Sequence, residues 1–223
     1  MNKPAGLVCH PTRDGEHSSL IGRVRIHLGS TEGRLVNRLD RETSGIVLIA
    51  KNANSASELG QIIGTSAVDK EYWAIVHGHP TADEFVVDAP LGRDPESAVA
   101  IKDTVRPDGA AARTNVTVNR RFVRDGQPFS WLTVKPETGR KHQIRIHLAH
   151  VGHPIVGDKV YGADEQRYLR FVTNAMTDED RAALILDNHA LHARSMAFSW
   201  RGRMWQFDAS PDNAFMEFLA SGR

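Results

Sequence analysis

The chain has 223 residues, of which 40% are hydrophobic and 25% charged, and its formal net charge is +1. These are ordinary globular values, enough for one large domain or two small ones around a sizeable core. There is no run of eighteen apolar residues to cross a membrane and no secretory core after Met1. The single Cys9 excludes an intramolecular disulfide framework and fits a reducing compartment, so the cytoplasm is the expected location.

Leu20, Ile21, Val24 and Leu28 recur at helical spacing and predict a short helix over 19–28. The chain is organised around Val36 to Lys51, VNRLDRETSGIVLIAK, in which Arg38 and Arg41 bracket one carboxylate, Asp40. Thr43, Ser44 and Gly45 then turn into the apolar run Ile46 to Ala50, which reads as a strand buried on both faces. A carboxylate thus sits on a loop pinned at its far end by a core strand, and the nearby guanidiniums favour its ionised form. Such scaffolded loops are where catalysis concentrates, although the local pattern alone fits a plain surface ion pair better.

Ala56, Leu59, Ile62 and Ile63 share one helical face over 55–63, with Gly64 at the cap position. Strands are predicted over 68–77, 84–91, 115–118 and 130–135, with a loop-like, poorly periodic stretch over 92–112. Ile144, Leu148 and Val151 predict a helix over 140–148 packed through that stripe and capped by Gly152. Arg145 lies beside the stripe; half-buried there, it needs an anionic partner, for which Asp40 is a candidate. Thr177 to Asp180 resembles a capping box ahead of a helix running to Leu186. A hairpin about Gly202 joins 197–200 to 204–207. Ser210-Pro211 is expected to start a closing helix with Phe215, Phe218 and Leu219 inward.

Basic residues gather at Arg120, Arg121 and Arg124, and again as Lys135, Arg140, Lys141 and Arg145. Such a seam binds phosphates locally, though composition alone favours a solvated basic face. His142, His147, His150 and His153 are close in sequence, but their spacing is not H-E-x-x-H and no Glu lies between them. A metal site is therefore the weaker reading. No G-x-G-x-x-G, Walker loop or G-x-S-x-G occurs, so no nucleotide cofactor is expected.

RLDRETSG at 38–45 resembles the H-R-L-D-[RK]-x-T-S-G signature of the RluA-type pseudouridine synthases, with Asn37 where that pattern has His. Three further stretches resemble the same family in the same order: NKPAGLVCHP at 2–11, KEYWAIVHG at 70–78, and TGRKHQIRIH at 138–147 with GHPIVGDKVYG at 152–162. HALHA at 189–193 resembles a segment that is structural in the family. The resemblance implies an α+β fold: a mixed, mainly antiparallel sheet in two halves around a central cleft, as a single catalytic domain over 1–223. It implies isomerisation of uridine in rRNA or tRNA to pseudouridine by a monomer, with RNA as partner and without cofactor or metal. Asp40 is then the essential carboxylate, Tyr72 faces the base, and Arg145 pairs with Asp40; on residue pattern alone, Tyr72 fits strand packing better. Arg38 inherits the task of holding open the stack from which the base is flipped, and Arg41, Thr43, Arg140, His142 and the apolar Ile144 lie on the substrate side.

Against the family pattern, the strand before Asn2 and the small S4 RNA-binding module are missing. That suggests either a start further upstream or a shortened sheet edge. Residues 164–186 read as an insertion. A non-catalytic RNA-binding protein of the same fold is the alternative reading, and a histidine-based metal hydrolase is a weaker one.

Overall fold

A computed structural model, which describes residues 1–12, 15–65 and 67–222, divides the chain into two units. The first comprises Met1–Glu71 and His192–Asp212, the second Tyr72–Leu191 and Asn213–Arg223. Among the described residues no helix is long and apolar enough to cross a membrane.

In the first unit both predicted helices form where their caps place them. Ser19 accepts the Gly22 N–H to start Leu20–Leu28, and Gly29 ends it in the left-handed region. Asn52 accepts the Ser55 N–H at 2.9 Å to start Ala53–Ile63. Each side chain satisfies a helix N–H that has no partner within the helix. Leu59 and Ile63 pack with Ile46, Ala50, Val68, Met196 and Phe198 to form this unit's core.

The run read as one strand over 46–50 is two. Ser44–Ile46 pairs antiparallel with Asn2–Lys3 and parallel with Leu191–Trp200, whereas Ile49–Ala50 pairs with Arg34–Leu35 in a separate ladder. Val47 and Leu48 carry the chain across, and Leu48 and Ile49 are only half-buried. An apolar run reports burial but not which partner each backbone group finds. The predicted hairpin is present as Leu191–Trp200 and Arg203–Asp208. Its turn residues Arg201 and Gly202 have φ of 52° and 72°, the conformation that suits a two-residue hairpin turn.

In the second unit Asp69–His77, Gln127–Pro136, Arg113–Arg124 and Glu84–Asp88 lie side by side, each antiparallel to the next. Ala74, Val76, Leu132, Val134, Ile144 and Leu148 fill the core, joined by Phe215, Phe218 and Leu219 of the last helix. That helix runs Asn213–Ala220, so Pro211 precedes it instead of occupying its first turn. The predicted strand over 84–91 stops at Asp88. Leu91–Arg93 instead pairs with Asp103–Val105, so the stretch expected to be loop contains a small ladder too short to show a period. The insertion folds as Gln166–Val172 and Asp178–Leu184, and the Thr177–Asp180 capping box is formed in both directions. The mixed α+β architecture, mainly antiparallel, is as expected from the sequence.

Candidate active site

In the loop carrying Asp40, alternate residues are tied down. The Asn37 side chain accepts the Leu48 N–H at 2.7 Å and donates to the Ile46 carbonyl at 3.3 Å. Leu39 is buried, and the Cys9 sulfur lies 3.4 Å from both its N–H and its carbonyl. The Arg41 carbonyl accepts from Lys3 Nζ at 3.0 Å. Lys3 is fully buried and also donates to the carbonyls of Pro4 and Leu7. Burial pushes its ammonium down to about 8, against the pull of Cys9 and Asp40, which favour the charged form. Between these anchors Asp40 is half-exposed and Arg38 exposed. Arg41 is exposed and donates to the Gly6 carbonyl, while Thr43 is buried. Downstream, Ser44 Oγ lies 2.8 Å from His192 Nδ1, and His192 Nε2 lies 3.0 Å from the Ala209 carbonyl. The carbonyl needs a donor, so Nε2 carries the proton and Ser44 donates to Nδ1. The N-terminal NKPAG stretch and the HALHA stretch thus brace the signature loop.

Tyr72 and Arg145 belong to the second unit. Tyr72 is half-buried opposite Val134, packed against the core cluster. The helix expected over 140–148 is Gln143–His150, and it is buried continuously from Gln143 to Leu148, so a single apolar stripe does not describe it. Val151, predicted to face inward, is 37% exposed. Ile144 is a core residue.

Arg145 is buried and forms a two-pronged ion pair with Asp158, Nε to Oδ2 at 2.7 Å and Nη2 to Oδ1 at 2.9 Å. Asp158 Oδ1 also accepts the N–H groups of Val160 and Tyr161. Burial alone would raise the Asp158 carboxyl, but the Arg145 charge and these hydrogen bonds outweigh it and hold the group well below the usual carboxylate range. The Arg145 guanidinium also lies 5.0 Å from the centre of the Tyr161 ring. Sequence reading required an anionic partner for Arg145 without singling out Asp158. Its position in GDKVYG was the available signal.

Gln143, also given no role from sequence, organises the turn before this helix. Its Oε1 accepts from Thr138 Oγ1 and the Arg140 N–H, and its Nε2 donates to the Arg113 carbonyl and Thr114 Oγ1. The exposed Arg140 side chain donates to the Ala111 carbonyl at 3.1 Å. His142, in the left-handed conformation at φ 55°, has its Nδ1 2.8 Å from Tyr161 Oη.

Many of the predicted basic groups are structural staples. Arg120 donates to the carbonyls of Leu219 and Gly222, Arg121 pairs with Asp83, Arg124 lies over the Phe218 ring, and Lys141 pairs with Asp103. The four clustered histidines do not converge. Among the described residues no three His, Cys, Asp or Glu side chains are placed to hold a metal.

The family model described as RNA pseudouridylate synthase matches residues 1–150. An "uncharacterized RNA pseudouridine synthase" of Chloroflexus aurantiacus is 39% identical over 167 residues, which are 72% of this chain and 51% of that protein. The "ribosomal large subunit pseudouridine synthase D" of Zymomonas mobilis is 30% identical over 219 residues, 94% of this chain and 65% of that protein. The chain thus spans between about half and two thirds of the length of these relatives. A solved structure of human RNA pseudouridylate synthase domain containing 1 superposes with a TM-score of 0.76 at 24% identity, covering 99% of this chain and 82% of that one. With its signature loop, its fold and the family match over residues 1–150 in agreement, this chain belongs to the RNA pseudouridylate synthase family.

Proposed function

We propose that the chain isomerises uridine in RNA to pseudouridine. The observation that carries this reading is Asp40 of the family signature, half-exposed on a loop whose neighbours Leu39 and Arg41 are both held by the N-terminal segment. In the reaction the ribose–N1 bond breaks, the uracil rotates, and a ribose–C5 bond forms. The C5 proton leaves to solvent and N1 gains one, so the conversion is an isomerisation without redox change.

Asp40 is the essential carboxylate, acting on the sugar. Tyr72 lies against the uracil and assists removal of the C5 proton. Arg145 supplies the positive charge that favours ionised Asp40. Arg38 holds open the stack from which the base is flipped, a step requiring a few kcal/mol and least in a loop. Arg41, Thr43, Arg140, His142 and Ile144 bound the substrate side. The name of the Zymomonas relative makes large-subunit rRNA the first RNA to try, with tRNA second. In this reading the enzyme is a cytoplasmic monomer that needs neither cofactor nor metal.

The test is tritium release from RNA labelled at C5 of uridine. Release by the parent protein and none by Asp40→Asn is the expected result. Equal release by both would remove Asp40 from its role, and no release by a folded parent would favour an RNA-binding protein without catalysis. Chelation with EDTA is expected to leave the rate unchanged; a loss restored by added metal would contradict the cofactor-free reading.

A further inference from the structure

Asn37 occupies the mouth of the eight-residue loop 38–45. Its carboxamide reaches across to the far end, accepting the Leu48 N–H at 2.7 Å and donating to the Ile46 carbonyl at 3.3 Å. Those two groups flank the crossover at Val47, where the chain leaves one sheet for the other. The backbone adds one bond there, from the Val36 N–H to the Leu48 carbonyl at 2.9 Å. On the opposite side of the crossover, Val47 exchanges two hydrogen bonds with Met1, both 2.9 Å. A planar group with one acceptor and one donor edge is what bridging an N–H and a C=O two residues apart requires.

We infer that Asn37 is a positioning residue for Asp40: its carboxamide closes the loop 38–45 at the base and thereby sets where the carboxylate sits. The inference rests on the reading of Asp40 given under Proposed function. Only two residues, Arg38 and Leu39, separate the clasp from the carboxylate, and Leu39 is held by Cys9. The side chains of Ile46 and Leu48 belong to this unit's core or pack against it and keep those contacts when the carboxamide is lost, so release of the clasp moves Asp40 without unfolding the unit. Misplacement of a reacting group by about 1 Å is enough to reduce a rate by about a hundredfold.

Neutral imidazole, like a carboxamide, offers one donor and one acceptor, so Asn37→His can rebuild the bridge. A protonated imidazole has no acceptor and loses the Leu48 bond. The charged groups around this crossover are the Met1 amine, Lys3 on the adjoining strand, Arg34 on the ladder beside Leu48, and Arg38, Asp40, Arg41 and Glu42 on the loop itself; His192 meets the loop through Ser44. All are common to parent and variant, so the ratio of their rates isolates the added imidazole.

The experiment measures C5 tritium release for the parent, Asn37→Ala, Asn37→His and a core control, Ile63→Val. Asn37→Ala is expected to lower kcat by about ten- to a hundredfold while leaving KM for RNA within about a factor of two. Asn37→His is expected to recover most of kcat at pH 8, and its rate relative to the parent should fall as pH drops through the range in which histidine protonates, about 6.5. Ile63→Val is expected to lower the melting temperature with kcat unchanged. A kcat for Asn37→Ala equal to the parent's overturns the inference. So does a pH-independent Asn37→His ratio, which decides the matter even if Asn37→Ala does not fold. An equal kcat loss in Ile63→Val would reduce the Asn37 effect to stability and overturn it as well. No release by the parent itself overturns the functional reading, a distinguishable failure.

Discussion

Asp158 shows how a charge survives without water. Its side chain is fully buried and Arg145 nearly so, and the carboxylate is held at both oxygens by the guanidinium and at one by two backbone N–H groups. Removing one member leaves an uncompensated buried charge, which destabilises by about 3–5 kcal/mol. Asp158→Ala is therefore expected to lose about that much in urea denaturation, and a loss below about 1 kcal/mol would mean that water reaches the pair. Because the folded carboxyl lies below its unfolded value, its contribution is present above about pH 4 and is lost as pH falls further. At this scale the sequence was informative about the need for an anion and did not reach Asp158. Arg145 beside an apolar stripe demanded an anion on physical grounds, and Asp40 was the candidate at hand. Asp158, thirteen residues on, meets Arg145 only because the chain turns back through 152–157, which spacing does not reveal. The Arg120, Arg121 and Arg124 cluster carries the same lesson, since backbone carbonyls and an aromatic ring claim these side chains.

At the scale of elements, Gly45 marks where the signature loop becomes a strand. It has φ of +111° and lies opposite Ala193 in the parallel pairing of Ser44–Ile46 with Leu191–Trp200. A Cβ built there would sit 2.3 Å from the Ala193 carbonyl oxygen, a backbone atom that cannot swing away. Gly45→Ala thus combines strained dihedrals with a steric clash and is expected to destabilise by more than about 3 kcal/mol. Gly29→Ala is the control, because Gly29 also has positive φ, at 59°, but meets nothing within 4 Å. It should lose only about 1 kcal/mol, and equal melting temperatures for the two variants would refute the close-approach argument. The need for Gly here is invisible in sequence, since it depends on a strand nearly 150 residues away. Helices were legible because apolar spacing is local, and Thr177 declared its start as a capping box; the Asn52 cap went unread, so the helix expected from residue 55 begins at Ala53. The division of 46–50 was not legible, because it depends on bonds to Asn37 and Met1.

At the scale of the molecule, burial favours the neutral form of three histidines among the described residues, His192 in the first unit and His77 and His147 in the second, each with its imidazole held below the ordinary value. The hydrogen bonds of His147 and His192 are fully satisfied by the neutral form that burial favours. His147 Nε2 donates to the Ala89 carbonyl and its Nδ1 accepts from Thr114, just as His192 bridges Ala209 and Ser44. A folded value below the unfolded one means that the unfolded chain binds more protons, so stability is greatest above about pH 6.5 and declines as pH falls below it. The expected result is a melting temperature that is flat from pH 7 to 8 and drops steadily from 6.5 to 5, before carboxylates such as Asp158 contribute. His192→Asn keeps a donor and an acceptor but cannot be protonated. It should be somewhat less stable than the parent at pH 7.5 and lose less on acidification, a difference that thermal unfolding at four or five pH values resolves. An identical acid slope in parent and variant would show that His192 takes up its proton in the fold and that the Ser44–His192–Ala209 brace tolerates charge. A reduced slope would tie the first unit's acid sensitivity to the side chain that braces the loop 38–45 through Ser44.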